Sequence, residues 1–277
     1  MDCMTKNDET LLEAEYRNKS LRSFYESAYA KGAAVSFSNW AATEADAVVS
    51  GSIDWAGRQV LDVGCGVGRL AILVRKAGAE RVVGVDYAAE AIRQATEQID
   101  DPAIEFHCVD IFKFAPRATF DVIVSLGTIE HMDRPDQFLT HVLRFLRPSG
   151  KLILTCPHFL NIRGFVWMTL AKLLDVPMSL SDLHFIHPWD MERWAAKSGL
   201  RIEGVSSIDG SRGNGERLLE DFSKRLPNAL RDAGLETDKI EGFLQYLAEV
   251  VRFAEASGEF DLHGATALYV LKRQNEK

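Results

Sequence analysis

Hydrophobic and polar positions change period near residue 58. Before it, residues 10–31 place Leu21, Phe24, Tyr25 and Ala28 at helical spacing, which predicts an amphipathic helix. The aromatic-bearing stretch 37–40 (FSNW) follows, and a second helix is expected to run to about residue 50. From Arg58 onward, short β-rich runs alternate with helical ones, the pattern of βαβ units built on a parallel sheet. Strands are expected at 58–63, 81–86, 103–109, 120–126 and 150–156, with helices at about 67–77, 88–99 and 135–147. The last of these helices should stop at Pro148 and Gly150.

After Cys156 the alternation breaks. A long connection, 157–187, carries its own apolar helix (161–175), and a short helix at 188–198 leads to a strand at 200–208. Two helices are expected across 214–257, and a last strand at 266–273. The pattern predicts a doubly wound α/β fold with a seven-stranded, mostly parallel sheet and helical insertions forming a lid. Residues 1–50 would be an N-terminal helical lid. Residues 51–277 would be the core, with insertions at about 157–187 and 211–260. Such long insertions usually cover or shape an active site.

Composition narrows the function classes. The 277 residues carry a formal charge of −8, and between Glu216 and Asp261 stand eleven acidic and six basic residues. The rest is near neutral and has no Lys/Arg cluster able to track a phosphate backbone, so a nucleic-acid partner is disfavoured. Four cysteines, none in C-x-x-C spacing, suggest neither a disulfide framework nor a zinc site. No apolar run approaches the ~20 residues that span a bilayer, and the first thirty residues lack a signal-peptide core. A cytoplasmic protein is expected; the sequence leaves a homodimer open.

The candidate chemistry begins in VLDVGCGVGRLA (60–71), which passes from a strand through Gly64, Cys65, Gly66 and Gly68 into a helix. Glycines let the backbone approach a ligand, and the amides opening the next helix point toward it. The spacing is G-x-G-x-G, so it fits the dinucleotide pattern G-x-G-x-x-G poorly. Asp86 ends the second predicted strand, 22 residues past Gly64, where a carboxylate can accept hydrogen bonds from ribose hydroxyls. Asp110 follows the third strand. The stretches 120–132 (FDVIVSLGTIEHM) and 143–157 (LRFLRPSGKLILTCP) follow in order.

Together these five stretches resemble the motifs of the class I S-adenosylmethionine-dependent methyltransferases, across about residues 58–208. The resemblance implies a Rossmann-like methyltransferase fold and S-adenosylmethionine as cofactor. By position it implies Gly64, Cys65, Gly66 and Gly68 along the methionine half, with Asp62 supporting the loop. Asp86 would hold the ribose, with Asp110 and Ile111 at the adenine; Ser125 and Leu126 belong to the same pocket. Tyr87 packs on adenine in this reading, or is a surface aromatic. Cys65 is a small loop residue and not a nucleophile.

The acceptor side is less determined. Glu130-His131 follows the fourth strand, and histidine, with an ordinary pKa near ~6.5, can take a proton at neutral pH. His131 is either that base or a residue shaping the cofactor pocket; His158 is the next candidate base. His158, His184 and His187 lie in one insertion, but H-x-x-H in a loop without a carboxylate is poor metal chemistry, so no metal site is expected. Tyr25, Tyr29 and Trp40 are candidate lid residues, with Glu130, His158 and His187 on the substrate side; the same aromatics fit a packed core. The N/D-P-P-Y/F sequence of enzymes that methylate base or glutamine nitrogens is replaced here by Ser125-Leu126-Gly127-Thr128. The expected reaction is methyl transfer to an oxygen, or nitrogen, of a small metabolite. Two other readings stand beside it: a cofactor-binding relative without activity, and an enzyme of lipid-like quinones at a membrane surface.

Overall fold

The computed structural model describes residues 21–31, 44–51, 53–176, 184–257 and 264–274. Two helices precede the sheet, α1 over residues 21–30 and α2 over 44–51. The strands are β1 (Gln59–Val63), β2 (Arg81–Asp86), β3 (Ile104–Cys108), β4 (Phe120–Ser125), β5 (Leu146–Pro157), β6 (Leu200–Ile208) and β7 (Thr266–Arg273). Between them run α3 (Arg69–Lys76), α4 (Ala89–Gln98), α5 (Pro135–Leu143), α6 (Ile162–Leu174) and α7 (Pro188–Lys197). Then follow α8 (Gly210–Asn214), α9 (Glu216–Asp232) and α10 (Ile240–Ser257).

The seven strands form one sheet in the order β3-β2-β1-β4-β5-β7-β6. Strands β1 to β5 pair in parallel, while β7 runs antiparallel to both β5 and β6. The chain builds outward from β1 to β3, then returns to the other side of β1 with β4. That reversal leaves a crevice beyond the carboxyl ends of β1 and β4, where open α/β sheets bind ligands.

The inner strands are apolar on both faces because helices cover both. On one face Leu61, Ile123 and Leu154 pack with Phe138, Leu139 and Val142 of α5 and Met191 and Ala195 of α7. On the other, Val60, Val82, Val122 and Ile153 meet Ala45 and Val48 of α2 and Leu70, Ala71 and Val74 of α3. The insertions do not lie separately over the sheet. Trp167 of α6, Leu218, Phe222 and Leu226 of α9, and Leu247 and Val251 of α10 share a third apolar core.

Two expectations need correction. Helix α5 ends at Leu143, not 147, and Leu146–Gly150 is already part of β5. The sheet overrides helical spacing there: the Phe120 amide donates to the Phe145 carbonyl at 2.8 Å, and Leu146 pairs with Phe120. The short helix α8 was not expected. Residues 10–20, the FSNW stretch with Trp40, and 177–183 of the insertion lie outside the described residues.

Candidate functional site

The loop after β1 is a left-handed turn three times over, with φ of 75° at Gly64, 51° at Gly66 and 80° at Gly68. Only glycine takes such angles without steric cost. The Gly64 and Cys65 amides donate to the Val85 carbonyl at 2.8 and 3.2 Å, which seats the loop against β2. Asp86, at the end of β2, clamps it from the side. Its Oδ2 accepts the Gly66 amide at 3.0 Å and its Oδ1 the Ala88 amide at 2.8 Å. Burial raises the Asp86 pKa above the ordinary range, while these amides pull the other way.

Beneath the loop lies Asp62, 2% exposed, whose Oδ2 has no hydrogen-bond partner. Burial first, and the charge of Asp86 second, push its pKa up to about 7. Cys65 is buried between the two, and desolvation drives its thiol well above the usual value, so it stays protonated.

Helix α1 covers this loop. A Cβ on Gly66 would stand 2.9 Å from the Tyr29 hydroxyl, so Tyr29 rests directly on the turn. Glu26 fixes the helix there: its carboxylate accepts the Ala89 and Glu90 amides at 2.7 and 2.9 Å, at the start of α4. One turn earlier, the Tyr25 ring lies edge-on to Tyr87 at 6.1 Å and to His131 at 5.9 Å. Tyr87 is therefore a half-buried residue under α1.

Other candidate residues are engaged locally. Asp110 accepts the Phe112 amide at 2.9 Å and caps a single 3₁₀ turn that begins at buried Ile111. Ser125 donates its hydroxyl to the Val63 carbonyl at 3.0 Å, a tie inside the sheet, and Leu126 packs on the α2–α3 side.

The turn after β4 forms the facing wall. Gly127 reverses the chain at φ 54°, and its amide donates to Thr155 Oγ1 at 2.9 Å. Thr128 then packs onto Gly64. Glu130 is buried, with Oε1 4.0 Å from His131 Nε2, while the His131 side chain keeps 16% of its surface. Glu44, from α2, reaches the same turn and accepts the Thr155 hydroxyl at 3.0 Å.

The three insertion histidines separate. His184 docks on the turn, its amide on the Glu130 carbonyl at 3.2 Å and Nε2 2.8 Å from the Met132 carbonyl. His158 is buried, its backbone tied to Ala265 and Asn161. His187 opens α7, with its amide and Nδ1 on Asp190 Oδ2 at 3.0 and 3.2 Å and its ring stacked on Trp189. Among the described residues no group of three or more His, Cys, Asp or Glu side chains is placed to hold a metal ion.

The site thus draws together Asp62, the glycine loop, Asp86, Tyr87, Tyr25, Tyr29, Glu130 and His131. Sequence reasoning missed Glu26, Glu44, Thr128 and Thr155. Glu44 alone left a trace, a carboxylate beside the buried positions Ala45 and Val48.

Comparison with known proteins gives this geometry its context. Residues 60–150 match the model of a methyltransferase domain family. The ubiquinone biosynthesis O-methyltransferase of Coxiella burnetii (strain Dugway 5J108-111) is 29% identical over 159 residues, 55% of this chain and 67% of that relative. Over those residues the chain carries a methyltransferase domain, of the kind found in the class I S-adenosylmethionine-dependent methyltransferases. Two solved structures show the methyltransferase fold over most of its length. A chain of the complex between the Haloferax volcanii Trm112 methyltransferase activator and its methyltransferase superposes with a TM-score of 0.62. It is 18% identical and covers 91% of this methyltransferase and 98% of that chain. Magnesium protoporphyrin IX methyltransferase from Synechocystis PCC 6803, with bound S-adenosylhomocysteine, gives 0.51 at 15% identity, covering 83% and 82%. The methyltransferase is an enzyme whose cofactor is S-adenosylmethionine.

Proposed function

We propose that this enzyme transfers a methyl group from S-adenosylmethionine to an oxygen of a small-molecule acceptor held between the glycine loop and the Gly127–His131 turn. The observation that carries the reading is the placement of Tyr25, which touches Tyr87 on the cofactor side and His131 on the acceptor side. One aromatic ring spans both halves of a single crevice.

The residues fit the cofactor. Asp62 Oδ2 is buried without a donor, and the cofactor's ammonium group would supply one. The backbone of the glycine loop would lie along its methionine half, with Thr128 and Tyr29 packed where side chains of Gly64 and Gly66 would stand. Asp86 holds the Gly66 and Ala88 amides, and the acceptor capacity left on its carboxylate would take the ribose hydroxyls. Tyr87, Asp110 and Ile111 would flank the adenine.

When bound, the cofactor supplies an activated methyl carbon on a positively charged sulfur. The protein's part is orientation, exclusion of water and proton removal. Tyr25 and Tyr29 close the crevice. His131 takes the acceptor hydroxyl's proton on an imidazole nitrogen, and the Glu130 carboxylate 4.0 Å away stabilises the imidazolium. Deprotonated by His131, the acceptor oxygen would be held in line with the methyl carbon that the bound cofactor supplies.

We assign the acceptor to small molecules rather than nucleic acid, because the chain is net acidic and its sequence holds no cluster of Lys and Arg able to track a phosphate backbone. A cytoplasmic location belongs to the same proposal. The test is transfer of label from methyl-labelled S-adenosylmethionine to a panel of phenols, catechols and hydroquinones, with products identified by mass spectrometry. Label on oxygen supports the reading. Label on carbon or nitrogen alone, or binding without transfer, overturns it.

A second reading places the acceptor in a membrane surface. Helix α6 turns Phe165 and Leu173 outward, each 75% exposed, although among the described residues no helix is long and apolar enough to cross a membrane. The similar Coxiella protein is named for ubiquinone biosynthesis. Co-sedimentation with liposomes, lost in Phe165→Ser/Leu173→Ser, is the outcome that favours this reading.

A further inference from the structure

We propose that Glu44 is a positioning residue for methyl transfer, holding the turn that carries Glu130 and His131; this rests on the acceptor-side role proposed above for that turn. Glu44 stands at the start of α2, before the first strand, yet its carboxylate is 6% exposed among the carboxyl ends of β4 and β5 and the start of β7. Placing a carboxylate there costs solvation that an apolar residue would not lose. What it gains is a pair of hydroxyl donors, Thr155 to Oε2 at 3.0 Å and Thr266 to Oε1 at 3.3 Å.

The consequence reaches the turn through Thr155. A hydroxyl has one proton. With that proton committed to Glu44, Thr155 Oγ1 can only accept, and it takes the Gly127 amide at 2.9 Å, the shorter branch of a forked bond whose other acceptor is the Thr155 carbonyl at 3.3 Å. Gly127 is the left-handed residue where the chain leaves β4, so its amide direction sets where the next four residues go. A Cβ on Gly127 would stand 3.8 Å from Glu44 Oε2 and 3.9 Å from Glu130 Oε1, so both carboxylates lie beside the turn. Beyond it Thr128 seats on Gly64 and His131 meets Tyr25. Glu44 bonds to Thr155 and Thr266 of the sheet. It acts through Thr155 and Gly127.

A helix latch and a positioning residue differ in what they move. A latch, once lost, loosens α2 and lowers stability throughout. A positioning residue changes the turn while the sheet stays protected. The test compares wild type, Glu44→Ala, Glu44→Gln, Thr155→Val and the Ala/Val double variant, all as full chains saturated with S-adenosylhomocysteine. Hydrogen exchange of the segment 126–132 and the imidazole NMR resonances of His131 are read together, with β1 amides as the internal control.

The expected result is at least about tenfold faster exchange at the turn and a displaced His131 signal in Glu44→Ala and in Thr155→Val. No further change is expected in the double variant, and β1 should be unaffected. Glu44→Gln should restore both signals, because its amide oxygen can face Thr155 while Thr266 accepts from the NH2 group. Thr155→Val keeps the buried shape, so it tests the chain even if Glu44→Ala does not fold. Wild-type signals in Thr155→Val, or uniform loosening of β1 and the turn together, would overturn the proposal. Failure of wild type to bind S-adenosylhomocysteine would instead count against the functional reading, and the turn measurements on unliganded protein would still decide the role of Glu44.

Discussion

Thr128 packs its side chain against Gly64 so closely that a Cβ on the glycine would lie 2.3 Å from Thr128 Oγ1 and 2.7 Å from its methyl carbon. The loop after β1 and the turn after β4 are thereby fitted to each other, cofactor side to acceptor side. Gly64→Ala should fail twice, through this clash and through its φ of 75°. We expect a loss of roughly 1–3 kcal/mol in denaturant unfolding and at least tenfold weaker S-adenosylhomocysteine binding. In the Gly64→Ala/Thr128→Gly pair these contacts and the one to Thr128 Cβ are gone and part of the stability should return. No recovery in the pair would mean that the backbone angle alone accounts for the loss.

Asp62 makes the unliganded protein pH-sensitive. Its folded pKa of about 7 lies above the ordinary value near ~3.9 in the unfolded chain, so the folded state binds the proton more tightly. Stability from this group is therefore full at low pH and is lost as pH rises from about 4 through about 7. Thermal unfolding of wild type minus Asp62→Asn across that window should show the decline; equal profiles would remove Asp62 as its source. Binding of a cationic ammonium should then ionise the carboxyl. Calorimetry near pH 6.5 in buffers of different ionisation enthalpy should detect a proton released in wild type and not in Asp62→Asn.

His131 carries the acceptor-side assignment. If it is the base for a hydroxyl acceptor, His131→Gln should lower kcat by at least about a hundredfold with S-adenosylhomocysteine affinity nearly unchanged. Lost affinity with kcat intact would make it a pocket residue. His158 would then be the next variant, although its burial and backbone ties to Ala265 and Asn161 suit it better to holding the insertion against β5.

The reaction should not need a divalent ion. Among the described residues the histidines of the insertion are held apart by separate partners, Met132 for His184 and Asp190 for His187. Turnover on an identified acceptor should survive excess EDTA. A loss restored by magnesium or zinc would show a ligand set formed only with substrate present.

Much of the fold was legible because burial on both faces leaves strands as apolar runs with polar ends. Strands β2, β6 and β7 begin and end where their residue patterns predict, and Asp62 and Asp86 mark the strand ends that meet the loop. The end of α5 was not, since Phe145 and Leu146 keep helical spacing and only their bonds to Phe120 show that the chain turns at Phe145 and becomes strand at Leu146. The site divides in the same way. Glycines announce a backbone approach in their own identity, and the acidic residue that ends β2 follows the loop at a spacing the sequence shows. Glu26 and Glu44 are ordinary polar residues of short helices. Their partners, the α4 amides and Thr155, lie 63 and 111 residues away, and no local pattern records a contact of that range. His187 is a substrate-side candidate because it is a histidine near others. In the structure the Pro188 and Asp190 that follow it make it the start of α7.

The central claim, that the cofactor sits on the glycine loop with its ribose at Asp86, is most directly tested by isothermal titration of S-adenosylhomocysteine into wild type, Asp86→Ala and Asp86→Asn. Because Asp86 also receives the Gly66 and Ala88 amides, the asparagine variant keeps one acceptor oxygen and separates lost ribose bonds from a collapsed loop. We predict saturable binding to wild type and at least tenfold weaker binding to both variants, a change of about 1.4 kcal/mol or more, with circular dichroism unchanged. Unaltered affinity in the folded variants, or tighter binding of NADH than of S-adenosylhomocysteine to wild type, would contradict it.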